Sequence, residues 1–147
     1  MTKKNLSKKR VLRFFSIFMV VVIAMTTMVL PVLAATSTTV NVATSIFKQS
    51  PSVKVTGGSG FLYSFGLRKT TITITNTGKY SVDVYRTDYS GMVAGSPIWK
   101  GSLQPGKSMT ITLKGSGTVT KLTFQGNGSK QKTTVKVSVS AGSVSSN

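Results

Sequence analysis

The sequence predicts an all-β domain, a single antiparallel sandwich of about seven to nine short strands behind a cleaved export leader. Three observations carry that prediction. Beyond the leader, no window repeats apolar residues at i, i+3, i+4 and i+7, whereas stretch after stretch alternates apolar and polar residues with period two. Turn signals built from Gly, Pro and Asn recur at spacings of roughly 8–12 residues. Finally, the lysines of the alternating stretches fall on their polar positions, as a solvated sheet face requires.

The leader comes first. Lys3, Lys4, Lys8, Lys9, Arg10 and Arg13 form a basic head, and an apolar run extends from Phe14 to Leu30. Pro31 breaks that run, and Val32-Leu33-Ala34 offers small residues to a signal peptidase. The cut is expected after Ala34, so residues 1–34 are a signal peptide and 35–147 a single domain. A retained membrane anchor is the competing use of the same run. The chain contains no Cys, so the exported domain cannot rest on disulfides and must draw its stability from core packing and strand pairing. A lysine-rich leader and absent cysteine fit a Gram-positive-type exported protein.

The strands follow in order. Thr36–Ala43, with Val40 and Val42 alternating, reads as a short or edge strand, and Ile46-Phe47 as its inward continuation. Pro51 ends it; Ser52–Thr56 is the next short strand, Gly57–Gly60 a flexible connection, and Phe61–Phe65 an aromatic strand. From Lys69 the alternation is strongest, with Ile72 and Ile74 on one side and Thr71, Thr73 and Thr75 on the other. Asn76-Thr77-Gly78 turns the chain, Gly78 being able to take positive φ. Tyr80, Val82 and Val84 then share the inner face of a strand through Arg86. Asp88–Ser96 reads as a Gly-containing loop and Pro97–Lys100 as an edge segment. Met109, Ile111 and Leu113 form the inner face of a strand after Pro105-Gly106, and Leu122 and Phe124 that of Thr118–Gln125. Gly126-Asn127-Gly128 signals a type I′ hairpin into a last strand with Val135, Val137 and Val139 inward. A polar tail is expected from about Ala141.

Gly101–Ser108 reads G-S-L-Q-P-G-K-S and satisfies the string of a phosphate-binding loop. The physics does not follow the string. A phosphate loop opens a helix whose free N–H groups meet the phosphates, but Met109-Thr-Ile-Thr-Leu113 alternates as a strand. Pro105 removes a donor where the loop needs one, and both acids of the chain precede the loop. As a type II turn the segment is well made, with Pro105 at the second position and Gly106 at the third. Together with Asn76-Thr-Gly78 it resembles bacterial Ig-like accessory domains, such as the cell-adhesion-related domain of bacterial surface proteins, over Thr70–Leu113. That resemblance implies an Ig-like β-sandwich and a non-catalytic surface module. Trp99 is the only tryptophan, and it does not occupy the early central strand where such domains carry one.

Composition excludes most catalysis. Without His, Cys or Glu there is no ordinary nucleophile–base pair and almost no zinc site. Asp83 and Asp88 on one extended strand stand about 17 Å apart on opposite faces, whereas a glycosidase pair needs about 5–9.5 Å. Ser45-Ile-Phe-Lys48 matches S-x-x-K of penicillin-recognising enzymes without its companion motifs. No catalytic residue, cofactor or metal is therefore expected. Asp83 reads as a cross-strand partner for a Lys or Arg, and Asp88 as a turn initiator.

The charge is the functional signal. Thirteen Lys and Arg remain beyond the leader against two acids, a net charge of +11. Such a domain attracts polyanions. The candidate contacts are Lys54, Lys107, Lys114, Lys121, Lys130, Lys132 and Lys136, with Tyr63, Tyr89 and Trp99 as candidate glycan-contact aromatics. The aromatics do not interleave with the basic residues along the sequence, so specific nucleic-acid binding is not expected. Thr71, Thr73, Thr75, Thr110 and Thr112 compose a hydroxyl face that β-propensity alone explains.

The expectation is thus a secreted, non-enzymatic binding or structural protein. It would associate loosely with a Gram-positive-type surface through anionic wall or matrix polymers, with peripheral membrane contact or self-association as further partners. No sorting motif or hydrophobic C-terminal tail fixes it there. Two other uses fit the same sequence: a matrix or fibre subunit donating Thr36–Val42 to a neighbour, and a cationic toxin or antimicrobial. The latter lacks a basic amphipathic helix.

Overall fold

A computed structural model describes residues 35–43, 46–127 and 132–146; the expected signal peptide, Ser45 and Lys130 lie outside the described residues. The chain forms strands β1 (Thr36–Val42), β2 (Ser52–Gly57), β3 (Thr70–Asn76), β4 (Val82–Ser90) and β5 (Val93–Ala94). These are followed by β6 (Ile98–Leu103), β7 (Ser108–Leu113), β8 (Val119–Gly126), β9 (Thr133–Ser140) and β10 (Gly142–Ser146). A 3₁₀ turn at Phe47–Gln49 and one helical turn, α1 (Phe61–Ser64), interrupt them.

Two antiparallel sheets result. One has the order β1-β9-β3-β7; the other has β10-β2-β8-β4-β5, with β6 also paired to β4. The all-β sandwich expected from the alternation is therefore present. Its strand order, however, is not Ig-like. An Ig sheet keeps its first and second strands side by side, whereas here β1 and β2 lie in opposite sheets, and so do β2 and β3, β3 and β4, and each successive pair from β6 to β10. The eight strands β1–β4 and β6–β9 interleave as 1-9-3-7 and 2-8-4-6, the double Greek key of a jelly roll. β5 and β10 are additions to the second sheet.

Alternation fills the space between the sheets. Val40, Val42, Val53, Val55, Ile72, Ile74, Val82, Val84, Leu122, Phe124 and the valines at 135, 137 and 139 all point inward and are buried. Ile111 and Leu113 join them and Met109 packs against the edge of that cluster, as expected for a strand after Pro105-Gly106. β-Branched side chains suit such a layer, because their stiff χ1 costs little on a pleated surface. Among the described residues, every residue of the core lies between Val40 and Val139.

Several local expectations are corrected. Phe61–Phe65 is helical, with Ser64 N–H bonded to Gly60 O and Phe65 N–H to Phe61 O. The chain is crossing from β2 in one sheet to β3 in the other and has no strand to pair with. Tyr80 is exposed and lies before β4 rather than on its inner face. The strand expected to end at Arg86 runs on to Ser90, turns at Gly91-Met92 and returns as β5, so Asp88–Ser96 is not a loop. Asn127 follows β8, and Gly128 lies outside the described residues; β8 and β9 belong to different sheets, so they do not pair as the expected hairpin. The polar tail is a strand: Ala141, at φ 59°, turns the chain out of β9, and β10 pairs with β2 from Gly142 to Ser146. Periodicity failed there because Ser143, Ser145 and Ser146 give a strand with almost no apolar side.

The turns that suggested the Ig-like resemblance meet at one buried residue. Asn76 is fully buried at the end of β3. Its side-chain amide donates to Leu103 O (2.8 Å) and Tyr80 O (2.7 Å), and its Oδ1 accepts from Gly78 N (3.0 Å) and Thr133 Oγ1 (3.0 Å). Its backbone N–H donates to Lys107 O, and its carbonyl accepts from Gly106 N–H. Asn76-Thr-Gly78 and Leu103-x-Pro-Gly106 are thus two halves of one polar joint. Gly106 has the expected positive φ, 71°, and Lys107 N–H closes the turn onto Gln104 O. Gly78 does not; a Cβ there would collide with Thr133 Oγ1 and come within 2.5 Å of Thr134 N. Its glycine is needed for close approach, not for φ.

Candidate binding face on the six-stranded sheet

The two outer faces of the sandwich differ in chemistry. That of β1-β9-β3-β7 is a field of hydroxyls: Ser37, Ser138, Thr73 and Thr110 form one row across it, and Thr39, Lys136, Thr75 and Ser108 the next. Lys136 is its one charged side chain among those rows. The expected threonine face is present and is almost neutral.

The outer face of the six-stranded sheet is basic and aromatic. Lys54 on β2 and Lys121 on β8 are direct register partners, flanked by Ser145 on β10 and Thr87 on β4. Directly opposed side chains carry their Cβ atoms about 4.5–5.5 Å apart, where like charges are destabilising. No carboxylate relieves them. Among the described residues the ion pair is Arg86 Nε to Asp88 Oδ1 at 2.6 Å. Asp83, expected to pair with a cross-strand Lys or Arg, instead accepts a hydrogen bond from the Ser102 hydroxyl. Asp88 is not a turn initiator either, since it sits inside β4 and holds Arg86. Asp83 and Asp88 do fall on opposite faces of β4, in keeping with the argument against a carboxylate pair.

One row from the lysines lie Thr123, Tyr85 and Trp99. Trp99 reaches this face through an irregularity in β6. Val84 pairs with Gly101, but Tyr85 pairs with Trp99, so Lys100 is the extra residue of a β-bulge. Without the bulge Trp99 would oppose Arg86 and point to the other side of the sheet. Gly101 supplies the backbone freedom, its φ of 139° being one that residues with a Cβ rarely adopt. The first glycine of the phosphate-loop string therefore serves to aim a tryptophan. Phe47 packs edge-on against Tyr85, with ring centroids 4.9 Å apart. Rather than continuing β1 inward, the 3₁₀ turn lies on the outside of this sheet, with Ile46 exposed. Tyr89 stands on the opposite side of the lysine row, in register with Val119.

The remaining expected contacts are dispersed. Lys107 and Lys132 are exposed at the Asn76 end of the sandwich, and Lys114 at the other end. The six described lysines do not make one patch; Lys54 and Lys121 do make a pair. Tyr63 is only 4% exposed, with its ring against Gly58, and so is withdrawn from any glycan. Tyr85 takes the place expected for it. The sequence missed the interleaving of lysines and aromatics because adjacent rows of one sheet come from residues 54, 121, 85 and 99, far apart along the chain.

Among the described residues, no group of three or more His, Cys, Asp or Glu side chains could hold a metal, and no helix is long and apolar enough to cross a membrane. What the face can do is hold a chain carrying both negative charge and flat apolar surfaces. The ammonium groups attract phosphate or carboxylate, and the rings offer faces to stack on.

No protein-family model matches the chain, and no curated protein does. Among solved structures it is similar to the Yersinia pseudotuberculosis-derived mitogen, with 10% identity and a TM-score of 0.44, covering 73% of this chain and 85% of that one. It is also similar to a CBM4 structure, with 16% identity and a TM-score of 0.39, covering 78% and 85% respectively.

Proposed function

We propose that this chain is a secreted, non-enzymatic binding protein of a Gram-positive-type cell surface. It holds anionic wall or matrix polymer on the outer face of its six-stranded sheet. The observation that carries this reading is the Lys54–Lys121 pair, two like charges set directly opposite with no acid to neutralise them, beside Tyr85 and Trp99. A bound polyanion would turn that repulsion into attraction. Lys136, Lys107, Lys132 and Lys114 add long-range attraction without forming the site.

The test is retention on purified anionic wall polymer across a salt series. Binding weakens as salt rises, because exposed ionic contacts are screened, and K54Q/K121Q loses most of it while K107Q/K132Q retains most. Retention that ignores salt, or that falls equally in both double variants, sinks the assignment.

One observation favours a second use, self-assembly. Both edges of the four-stranded sheet, β1 and β7, are free of charged residues between Thr36 and Val42 and between Ser108 and Leu113, and charge on an edge is a usual defence against strand addition. β1 is paired along its whole length with β9 of its own chain, so addition would extend an edge rather than require donation of β1. A monomer by size-exclusion chromatography at high concentration, with no fibres by electron microscopy, argues against it.

A further inference from the structure

We propose that one end of the sandwich is a lipid-docking tip that takes the surface of an anionic bilayer. Three connections build this end. Residues 58–69 join β2 to β3, residues 91–92 join β4 to β5, and residues 114–118 join β7 to β8. Register places them side by side. Val119, the first residue of β8, pairs with Thr56 at the end of β2 and with Tyr89 near the end of β4. Hydrogen bonds tie the first connection to the third: Gly117 N–H donates to Gly58 O, and Gly60 N–H to Ser116 Oγ.

This end exposes apolar side chains that the fold has the means to bury elsewhere. Phe61 is 68% exposed, Phe65 69% and Leu67 70%, while across the end Met92 is 101% and Val93 72% exposed. In α1 the one buried side chain is Tyr63, which pins the turn against Gly58. Phe61 and Phe65, one turn apart, face water with ring centroids 4.4 Å apart and planes tilted by 38°. Scattered single apolar residues on a surface need no explanation, but large ones gathered on neighbouring loops mark an interaction site.

Charge selects the occupant. Arg68 and Lys69 follow directly on Leu67, and Lys114 opens the third connection. The carboxylate nearest this end along β4, Asp88, is held by Arg86. Apolar loop tips with basic side chains around them match an anionic lipid surface: the tips enter the acyl boundary and the cations stay among the headgroups. The tip is separate from the polymer face, and neither reading depends on the other.

The test uses residues 35–147, which hold the core of the described residues, in sedimentation with vesicles of phosphatidylcholine alone or mixed with phosphatidylglycerol. The wild-type domain is expected to sediment with the anionic vesicles and not with the neutral ones. F61S/F65S, altering two exposed side chains, keeps its melting temperature but weakens vesicle binding about tenfold or more. K107Q/K132Q, at the opposite end of the sandwich, changes it by less than about twofold. Absence of sedimentation, or full binding by F61S/F65S, overturns the proposal. So does equal loss in both double variants, which would reduce the effect to charge alone, or a dimer that dissociates in F61S/F65S, which would make a second copy the occupant.

Discussion

Replacing Asn76 should cost more than any other single polar substitution in this domain. Asn76→Ala removes four side-chain hydrogen bonds of 2.7–3.0 Å. The two partners in buried surroundings, Leu103 O and Thr133 Oγ1, lose a bond that water cannot readily replace, at about 1–3 kcal/mol each. The bonds to Tyr80 O and from Gly78 N are only part-buried, and each counts for about 0.5 kcal/mol once water substitutes. The sum is about 3–7 kcal/mol, out of the roughly 5–15 kcal/mol that holds a domain of this size. At about 4 °C per kcal/mol for this length, the melting temperature falls by about 12–28 °C. Differential scanning calorimetry of residues 35–147 reads this directly. Asn76→Asp separates hydrogen bonding from volume: it keeps the acceptor but sets a carboxylate oxygen against the carbonyls of Leu103 and Tyr80, so its loss is at least as large. Thr77→Ala, removing an exposed hydroxyl bonded to Thr134 O, costs less than about 1 kcal/mol. A fall of under about 4 °C for Asn76→Ala would refute the claim that this residue joins the two turns.

Three further outcomes follow from other parts of the fold. Gly78→Ala and Gly106→Ala look alike in sequence but should differ: at Gly106 a Cβ meets open space and only the φ of 71° costs, about 1–2 kcal/mol, whereas at Gly78 it must displace β9 backbone, and urea denaturation should show the larger loss there. Lys54→Gln should raise stability by about 0.2–1 kcal/mol at low salt by relieving repulsion from Lys121, with the gain shrinking at high salt; an unchanged or lowered midpoint would mean the pair is not repulsive. Truncation after Ala141 removes β10 with the partly buried Val144 that packs against the core and uncovers the β2 edge, so thermal stability should fall and concentration-dependent association should appear; a chain indifferent to the cut would return residues 142–146 to the status of a tail.

Legibility of the fold tracks how local its causes are. Val135-x-Val-x-Val139, Ile72-x-Ile74 and Met109–Leu113 were readable because one strand facing one core writes its pattern into consecutive residues. Phe61–Phe65 was not, since an aromatic stretch favours either a strand or a short helix until something offers, or withholds, a partner edge. Nor was β10, whose pairing with β2 depends on backbone hydrogen bonds and hardly at all on apolar side chains.

Read alone, the sequence yields the all-β sandwich, the inward residues of most strands, the Pro105-Gly106 turn and a composition without His, Cys or Glu. Each of these depends on neighbours a few positions away or on composition. The jelly-roll order in place of an Ig-like one emerges in three dimensions, because turn chemistry reverses a chain without saying which sheet it enters next. Folding alone set Lys54 opposite Lys121, brought Trp99 over beside Tyr85 through a bulge at Lys100, and gathered Phe61, Phe65 and Met92 at one end. Those juxtapositions join residues tens of positions apart, and pairing across a sheet, unlike alternation along a strand, leaves no periodic trace in the chain.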